Sequence, residues 1–170
     1  MTHPRRTHGL LVLLVAALAD CGKTPPATPP ALPPITIAAP EKAKVKASMT
    51  LTAAKDVNPD AGGTPKPIVV RIYTLRADTA FVAADFFALL NDDEKTLGAE
   101  MITHDEYVLD PGDSKSVDIT IPDEARFVAV FAGFRDFRNA KPWRVAIPPP
   151  KGSFTISVER ARVAASSAAG

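Results

Sequence analysis

The alternation of apolar and polar residues predicts a series of β-strands that begins near residue 42. In residues 45–53, apolar side chains at every second position alternate with lysine, serine and threonine, as in a strand with one buried face. Two later stretches, Ile68–Leu75 and residues 126–135, are apolar at nearly every position, which predicts strands buried on both faces. Arg71 is the exception and needs a carboxylate or solvent. Three further runs, SVDITI, WRVAI and SFTISVERARV, also alternate.

One segment, AFVAADFFALLNDDEKTLGAE, breaks the two-residue period. Phe86, Leu89, Leu90 and Leu97 fall at helical spacing, and Gly98 is placed to end a short helix. About seven strands, with turn sequences between them and no strand–helix alternation, predict an all-β fold with a small helical addition. The expected architecture is a two-sheet antiparallel β-sandwich over residues 42–163, followed by a disordered tail at residues 164–170.

The first 20 residues have the pattern of an export signal. Arg5 and Arg6 precede an apolar run, residues 10–19, that is too short to span a bilayer, so residues 1–20 are expected to be a signal peptide. An arginine pair also occurs in twin-arginine signals. Because no bulky apolar residue follows the pair here, the general export route is favoured.

The signal ends at LADCG, which resembles the lipobox of bacterial lipoproteins, where a leucine stands three residues before an acylated cysteine. Cys21 is the only cysteine, so it cannot form an internal disulfide, and lipidation gives its thiol a use. Asp20 departs from the small residue usual before that cysteine. The alternative is ordinary cleavage after Ala19, at an A-x-A pattern, which would leave a free thiol.

The segment after Cys21 has a composition of its own. Seven of the 17 prolines lie between positions 25 and 40, among alanine and threonine. Such a chain favours an extended polyproline-like form of about 3.1 Å per residue, so residues 21–41 are predicted to tether a domain up to roughly 60 Å from its anchor. A passive spacer is favoured over a proline-rich ligand.

Charge and candidate catalytic groups exclude several function classes. The net charge is +1 with both signs interspersed, which disfavours a nucleic-acid partner. Beyond the signal, His104 is the only histidine, so a hydrolase would depend on it; its polar surroundings, THDE, predict a solvated loop residue. One histidine and an acylated cysteine are too few for a histidine-rich zinc site. The sequence therefore predicts neither an enzyme nor a metal protein.

The segment DVNPDAGGTPKP, residues 56–67, is longer than a connection between two strands needs. Its start mimics an EF-hand loop, but Ala61 stands at the sharp-turn glycine position and Pro67 at the bidentate acid position, which leaves at most a weak oxygen-ligand site. Its prolines would reduce the ordering cost of docking on a partner, which favours a binding loop. The alternative is a long connection that has no binding role.

Four motifs in order resemble the TssJ-type outer-membrane lipoproteins of the bacterial type VI secretion system: LTAAKDVNPDAGGTPKPIVVRIYTL, FVAADFFALLNDDEKTLGAEM, LDPGDS and FVAVFAGFRDFRNAKPWR. They lie between about residues 47 and 162. The resemblance implies a transthyretin-like β-sandwich with no enzymatic activity and no cofactor besides the lipid on Cys21. It also implies an outer-membrane anchor and a periplasmic domain that binds the C-terminal region of TssM, an inner-membrane protein.

In that family the loop after the first strand is a main contact to TssM, and residues 56–67 correspond to it. The implied partner-binding residues are Asp56, Val57, Asn58, Pro59, Asp60, Gly62, Gly63 and Thr64. Without the resemblance, a carbohydrate- or peptidoglycan-binding sandwich stays open as the alternative. It would need exposed aromatic residues, and the chain offers few candidates, namely Trp143, Tyr73 and Tyr107.

Overall fold

The computed structural model describes residues 44–167, which form two packed β-sheets and a short helical segment. The predicted signal peptide (residues 1–20), the lipidation site Cys21 and the tether (residues 21–41) lie outside the described residues. The strands are β1 (Lys44–Ala53), β2 (Ile68–Leu75), β3 (Met101–Leu109), β4 (Ser114–Pro122), β5 (Phe127–Ala132), β6 (Arg144–Ile147), β7 (Phe154–Val158) and β8 (Val163–Ser167). Between β2 and β3 come α1 (Thr79–Ala83), α2 (Phe86–Asn91), α3 (Asp93–Leu97) and a 3₁₀ turn (Gly98–Glu100).

The two sheets have four strands each. Sheet A has the order β4-β1-β7-β8 and sheet B the order β3-β2-β5-β6. The predicted two-sheet sandwich with a small helical addition is confirmed. One pair departs from the antiparallel expectation, because β1 and β7 run parallel, with Leu51 beside Ile156. Alternating polarity identifies each strand but not its neighbour, so the sequence could not show this pair.

The central strands of sheet B, β2 and β5, are covered on both faces, as their apolar character predicts. The inner face of sheet B packs against sheet A in the main core, which includes Met49, Leu51, Val70, Val130 and Ile156. Its outer face is covered by the helices. Tyr73, Leu75, Ala129 and Phe131 of the sheet form a second buried cluster with Phe81, Phe86, Leu89 and Leu97 of the helical segment.

Arg71, predicted to need a carboxylate or solvent, finds two carboxylates. Its side chain lies on the outer face of β2 and forms ion pairs with Glu106 at 2.7 Å and with Asp93 at 3.3 Å. The same guanidinium donates to the backbone oxygens of Leu89 and Leu90 near the end of α2. Asp93 also accepts a hydrogen bond of 2.9 Å from the buried Tyr73 hydroxyl. Burial and this hydrogen bond raise the pKa of Tyr73, so the hydroxyl remains a donor.

Arg144 of β6 holds the first helix in a similar way. Its guanidinium donates to the backbone oxygens of Phe81, Val82 and Ala84 and lies 4.4 Å from the Trp143 ring. Helices of five or six residues are marginal alone because nucleation is costly. The arginines of sheet B supply donors for backbone oxygens that a helix end leaves unpaired, and so attach the helices to the sheet.

Four local predictions differ from the structure. The helical segment forms three short helices instead of one. The stretch THDE, expected to be a loop, lies in β3, whose middle is exposed because β3 is an edge strand. The run SFTISVERARV forms β7 and the start of β8, with a tight turn between them. Residues 164–167 of the expected disordered tail also belong to β8, because Ser167 pairs with Phe154.

Candidate partner-binding surface

Three connections meet at one end of the sandwich and form an open groove. They are the β1–β2 loop (residues 54–67), the β5–β6 loop (residues 133–143) and the β7–β8 turn (residues 159–162). β1 and the parallel β7 both end there, and in sheet B the start of β2 lies beside the end of β5. The groove, called the loop groove below, has a volume of about 660 Å³. Its lining includes Pro59, Asp60, Phe134, Arg135, Asn139 and Arg160.

The length of the β1–β2 loop has a topological cause. β1 lies in sheet A and β2 in sheet B, so the loop must cross from one sheet to the other instead of closing a hairpin. Val57, in the middle of the crossing, is fully buried in the main core. The loop is therefore anchored in the packed sandwich at Val57 and Asn58, and the exposed residues 61–64 follow this anchor.

Asn58 connects the three parts of the groove. Its side-chain nitrogen donates to the backbone oxygen of Pro67 at 2.7 Å, and its side-chain oxygen accepts from the backbone nitrogen of Arg135 at 2.8 Å. Its own backbone nitrogen donates to the backbone oxygen of Arg160 at 3.2 Å. The residue is buried and has φ +49°, a conformation in which asparagine is enriched among non-glycine residues.

Residues 59–64, called the tip below, are shaped by Asp60. Its carboxylate accepts from the backbone nitrogens of Gly62 at 3.0 Å and Thr64 at 2.9 Å, and it pairs with Lys66 at 3.2 Å. The hydrogen bond from Thr64 and the contact with Lys66 hold the pKa of Asp60 below its ordinary value of 3.8. Gly63, with φ +81°, supplies the left-handed residue that this turn requires.

The shape of the tip is expected to depend on pH at the acid end. Because the folded tip favours the charged carboxylate, its hydrogen bonds are complete above the ordinary aspartate pKa and are lost as the pH falls through the lowered pKa of Asp60. We expect the NMR amide resonances of Gly62 and Thr64 to shift together with a midpoint below 3.8. Asp60→Asn should remove this transition. A midpoint at or above 3.8 would contradict the described geometry.

The predicted partner-binding residues divide into a buried and an accessible group. Val57 and Asn58 are buried, so their side chains are not available to a partner. Asp56 is exposed and pairs with Arg160 at 3.6 Å. Pro59 and Asp60 are half-buried, while Gly62, Gly63 and Thr64 are exposed. The fold brings residues 134–140 beside them; the motif FVAVFAGFRDFRNAKPWR contains these residues, but the sequence did not indicate that they lie next to the β1–β2 loop.

The residues considered for metal or carbohydrate binding make structural contacts. The oxygens of the EF-hand-like start are engaged by Arg160, by backbone groups and by Lys66. Within residues 44–167, no group of three or more His, Asp or Glu side chains could hold a metal ion. Two of the aromatic residues considered for carbohydrate binding, Tyr73 and Trp143, pack in the cluster under the helices.

None of the helices in residues 44–167 is long and apolar enough to cross a membrane.

Comparison with known proteins places this chain in one family. A family model described as type VI secretion lipoprotein, VasD, EvfM, TssJ, matches residues 45–163. No curated protein matches the chain.

Solved structures agree with the family match. The type VI secretion lipoprotein TssJ1 from Pseudomonas aeruginosa is 29% identical over 75% of this chain and 99% of its own, with a TM-score of 0.71. A chain of a structure described as a type VI membrane complex is 30% identical over 71% and 96%, with a TM-score of 0.64. A chain of a structure described as the TssM C-terminal domain (869-1107) from EAEC is 28% identical over 72% and 98%, with a TM-score of 0.62. The chain therefore belongs to the TssJ family of type VI secretion lipoproteins.

Proposed function

We propose that this lipoprotein joins the outer membrane to the inner-membrane part of the secretion apparatus. Acyl chains on Cys21 anchor it in the outer membrane, residues 21–41 form the tether, and the sandwich faces the periplasm. There it binds the periplasmic C-terminal region of a TssM-like inner-membrane protein. Multiple acyl chains suit this role, because a single chain gives only marginal, reversible membrane binding.

The observation that carries the proposal is the match to a chain in the TssM structure. The matched region is 72% of the present chain and 98% of that chain, so that chain has about 125 residues. The TssM domain numbered 869–1107 is nearly twice as long. The matched chain is therefore a second component of that structure, which supports TssM as the partner of a protein with this fold.

The loop groove is the proposed contact surface, and its residues have two roles. Val57 and Asn58 hold the β1–β2 loop on the core, whereas Ala61 to Thr64 present an exposed, pre-shaped tip. A contact of this kind requires little ordering on binding, because the hydrogen bonds of Asp60 already fix the tip.

A binding titration tests the proposal. The soluble fragment 39–170, which contains both sheets and their core, is titrated against the periplasmic C-terminal region of the TssM from the same secretion system. Ala61→Arg combined with Thr64→Arg places two bulky side chains on the exposed tip without touching the core. We expect this variant to bind at least about tenfold more weakly, a loss of 1.4 kcal/mol.

The matched control is Ser153→Arg with Lys151→Glu, two exposed positions between β6 and β7 at the other end of the sandwich. This control should bind like the natural fragment. Equal binding by the tip variant would place the contact on another face. Absence of binding by the natural fragment would refute TssM as the partner.

A further inference from the structure

An exposed aromatic pair lies beside the loop groove. Phe87 of α2 is 53% exposed, and its ring meets that of Phe137 edge-on with centroids 5.0 Å apart. Phe137, in the β5–β6 loop, in turn stacks on the buried Phe86 at 4.4 Å. The pair, called the aromatic patch below, is therefore fixed from beneath by the core cluster. A large apolar side chain that is both rigid and half-exposed is typical of an interface anchor.

The surroundings of the aromatic patch are positively charged. Arg138 lies with its guanidinium 5.8 Å from the Phe137 ring, and Arg135 and Lys141 are exposed in the same loop. Within residues 44–167, none of these three cations forms an ion pair with a carboxylate.

The acids nearest in sequence to the two rings of the aromatic patch already accept hydrogen bonds within the domain. Asp136 accepts a hydrogen bond from Asn139, and Asp85 accepts one from the backbone of Ala88 at the start of α2. The cations of the β5–β6 loop are thus available to carboxylates of another molecule.

The aromatic patch is continuous with the loop groove. Phe137 and Arg138 lie between Asp136 and Asn139, both of which line the groove. A partner seated in the groove would therefore meet the aromatic patch on the same loop. The patch also lies at the end of the sandwich away from Lys44, the start of β1.

We infer that the aromatic patch is a second contact for the partner of the loop groove and binds a segment that carries an apolar side chain flanked by carboxylates. The apolar side chain packs against Phe87 and Phe137, and the carboxylates pair with Arg138 and Arg135. This inference rests on the proposed function, because it assigns the same TssM-like partner to both surfaces.

The titration of fragment 39–170 with the TssM C-terminal region is repeated with Phe87→Ala and, separately, Arg138→Glu. Each variant is expected to raise the Kd about tenfold, and Arg138→Glu should also weaken the salt dependence of binding. Val45→Ala and Lys46→Glu are matched controls, because these side chains are also exposed but lie at the start of β1. Arg138 is exposed, so Arg138→Glu tests the contact even if Phe87→Ala lowers stability.

The outcomes separate this inference from the proposed function. A tenfold loss in the patch variants, with unchanged controls, supports it. In a second outcome, the natural fragment binds, the tip variant loses affinity, and both patch variants bind within twofold of the natural fragment. The second contact is then wrong, and the proposed function stands. The same variants are also tested for binding to phosphatidylglycerol vesicles. If they bind TssM like the natural fragment but lose a vesicle binding that the natural fragment shows, the patch contacts lipid and the inference is overturned. No binding by the natural fragment overturns both.

Discussion

Replacing Asn58 with alanine is expected to lower the free energy of unfolding by about 3 kcal/mol. The change leaves the backbone nitrogen of Arg135 and the backbone oxygen of Pro67 without the partners they have in the fold. An unsatisfied buried polar group costs about 1–3 kcal/mol, and a left-handed conformation at alanine adds roughly 1 kcal/mol. Chemical denaturation of fragment 39–170 measures the loss. The affinity for TssM should fall too, because the side chain of residue 58 no longer joins the β1–β2 loop to the β5–β6 loop.

Asn58→Gly separates the two contributions. Glycine also removes the side-chain hydrogen bonds but adopts positive φ without strain, so this variant should be about 1 kcal/mol more stable than Asn58→Ala. Thr64→Ala, at an exposed position in the same loop, serves as a control and should change stability by less than about 0.5 kcal/mol. Unfolding free energies of both Asn58 variants close to the natural value would show that the three connections hold together by other contacts.

Replacing Arg71 with methionine is the second change with a large expected effect. Methionine fills a similar volume but leaves the Asp93 carboxylate, whose side chain is 11% exposed, without its cation. It also removes the donor to the backbone oxygens of Leu89 and Leu90. Breaking one side of a buried ion pair costs about 3 kcal/mol or more, and we expect a loss of that size in denaturant unfolding.

Two further variants test this explanation. Glu106, the other carboxylate on Arg71, is 47% exposed, so Glu106→Gln should cost less than about 1 kcal/mol. Asp93→Asn should lower the free energy of unfolding by about 1–2 kcal/mol less in the Arg71→Met background than in the natural protein. In that background the substitution removes a buried charge that no longer has a cation. Additive effects of the two substitutions would mean that Arg71 and Asp93 contribute independently.

Arg71 also shows how far polarity along the chain can predict structure. An arginine within an otherwise apolar strand had to meet a carboxylate or water, and the strand pattern placed it on one face of a buried sheet. The two apolar faces of β2 and β5 likewise predict a cover on the outer side, which the helices supply. These inferences succeed because they depend on side-chain burial alone.

Features that depend on which strands pair could not be predicted from the sequence. β3 was missed because residues 103–106 are polar and exposed, while its strand character comes from backbone hydrogen bonds to β2. The loop groove unites segments near residues 58, 135 and 160, and only the sheet order brings them together. Within the β1–β2 loop, the motif indicated a binding element but did not distinguish the buried Val57 from the exposed Thr64, because burial there follows from the crossing between sheets.

The position of β1 has a mechanical consequence. This strand enters the described domain at Lys44 and leads directly into the β1–β2 loop, and its ten residues span about 33 Å. If Cys21 is held in the membrane and the tip is held by TssM, tension between the two passes along the covalent backbone of β1. The ladders to β4 and β7 then keep the strand straight without bearing the load themselves. A partner bound only through connections other than the β1–β2 loop would instead pull across hydrogen bonds between strands, which are far weaker than peptide bonds.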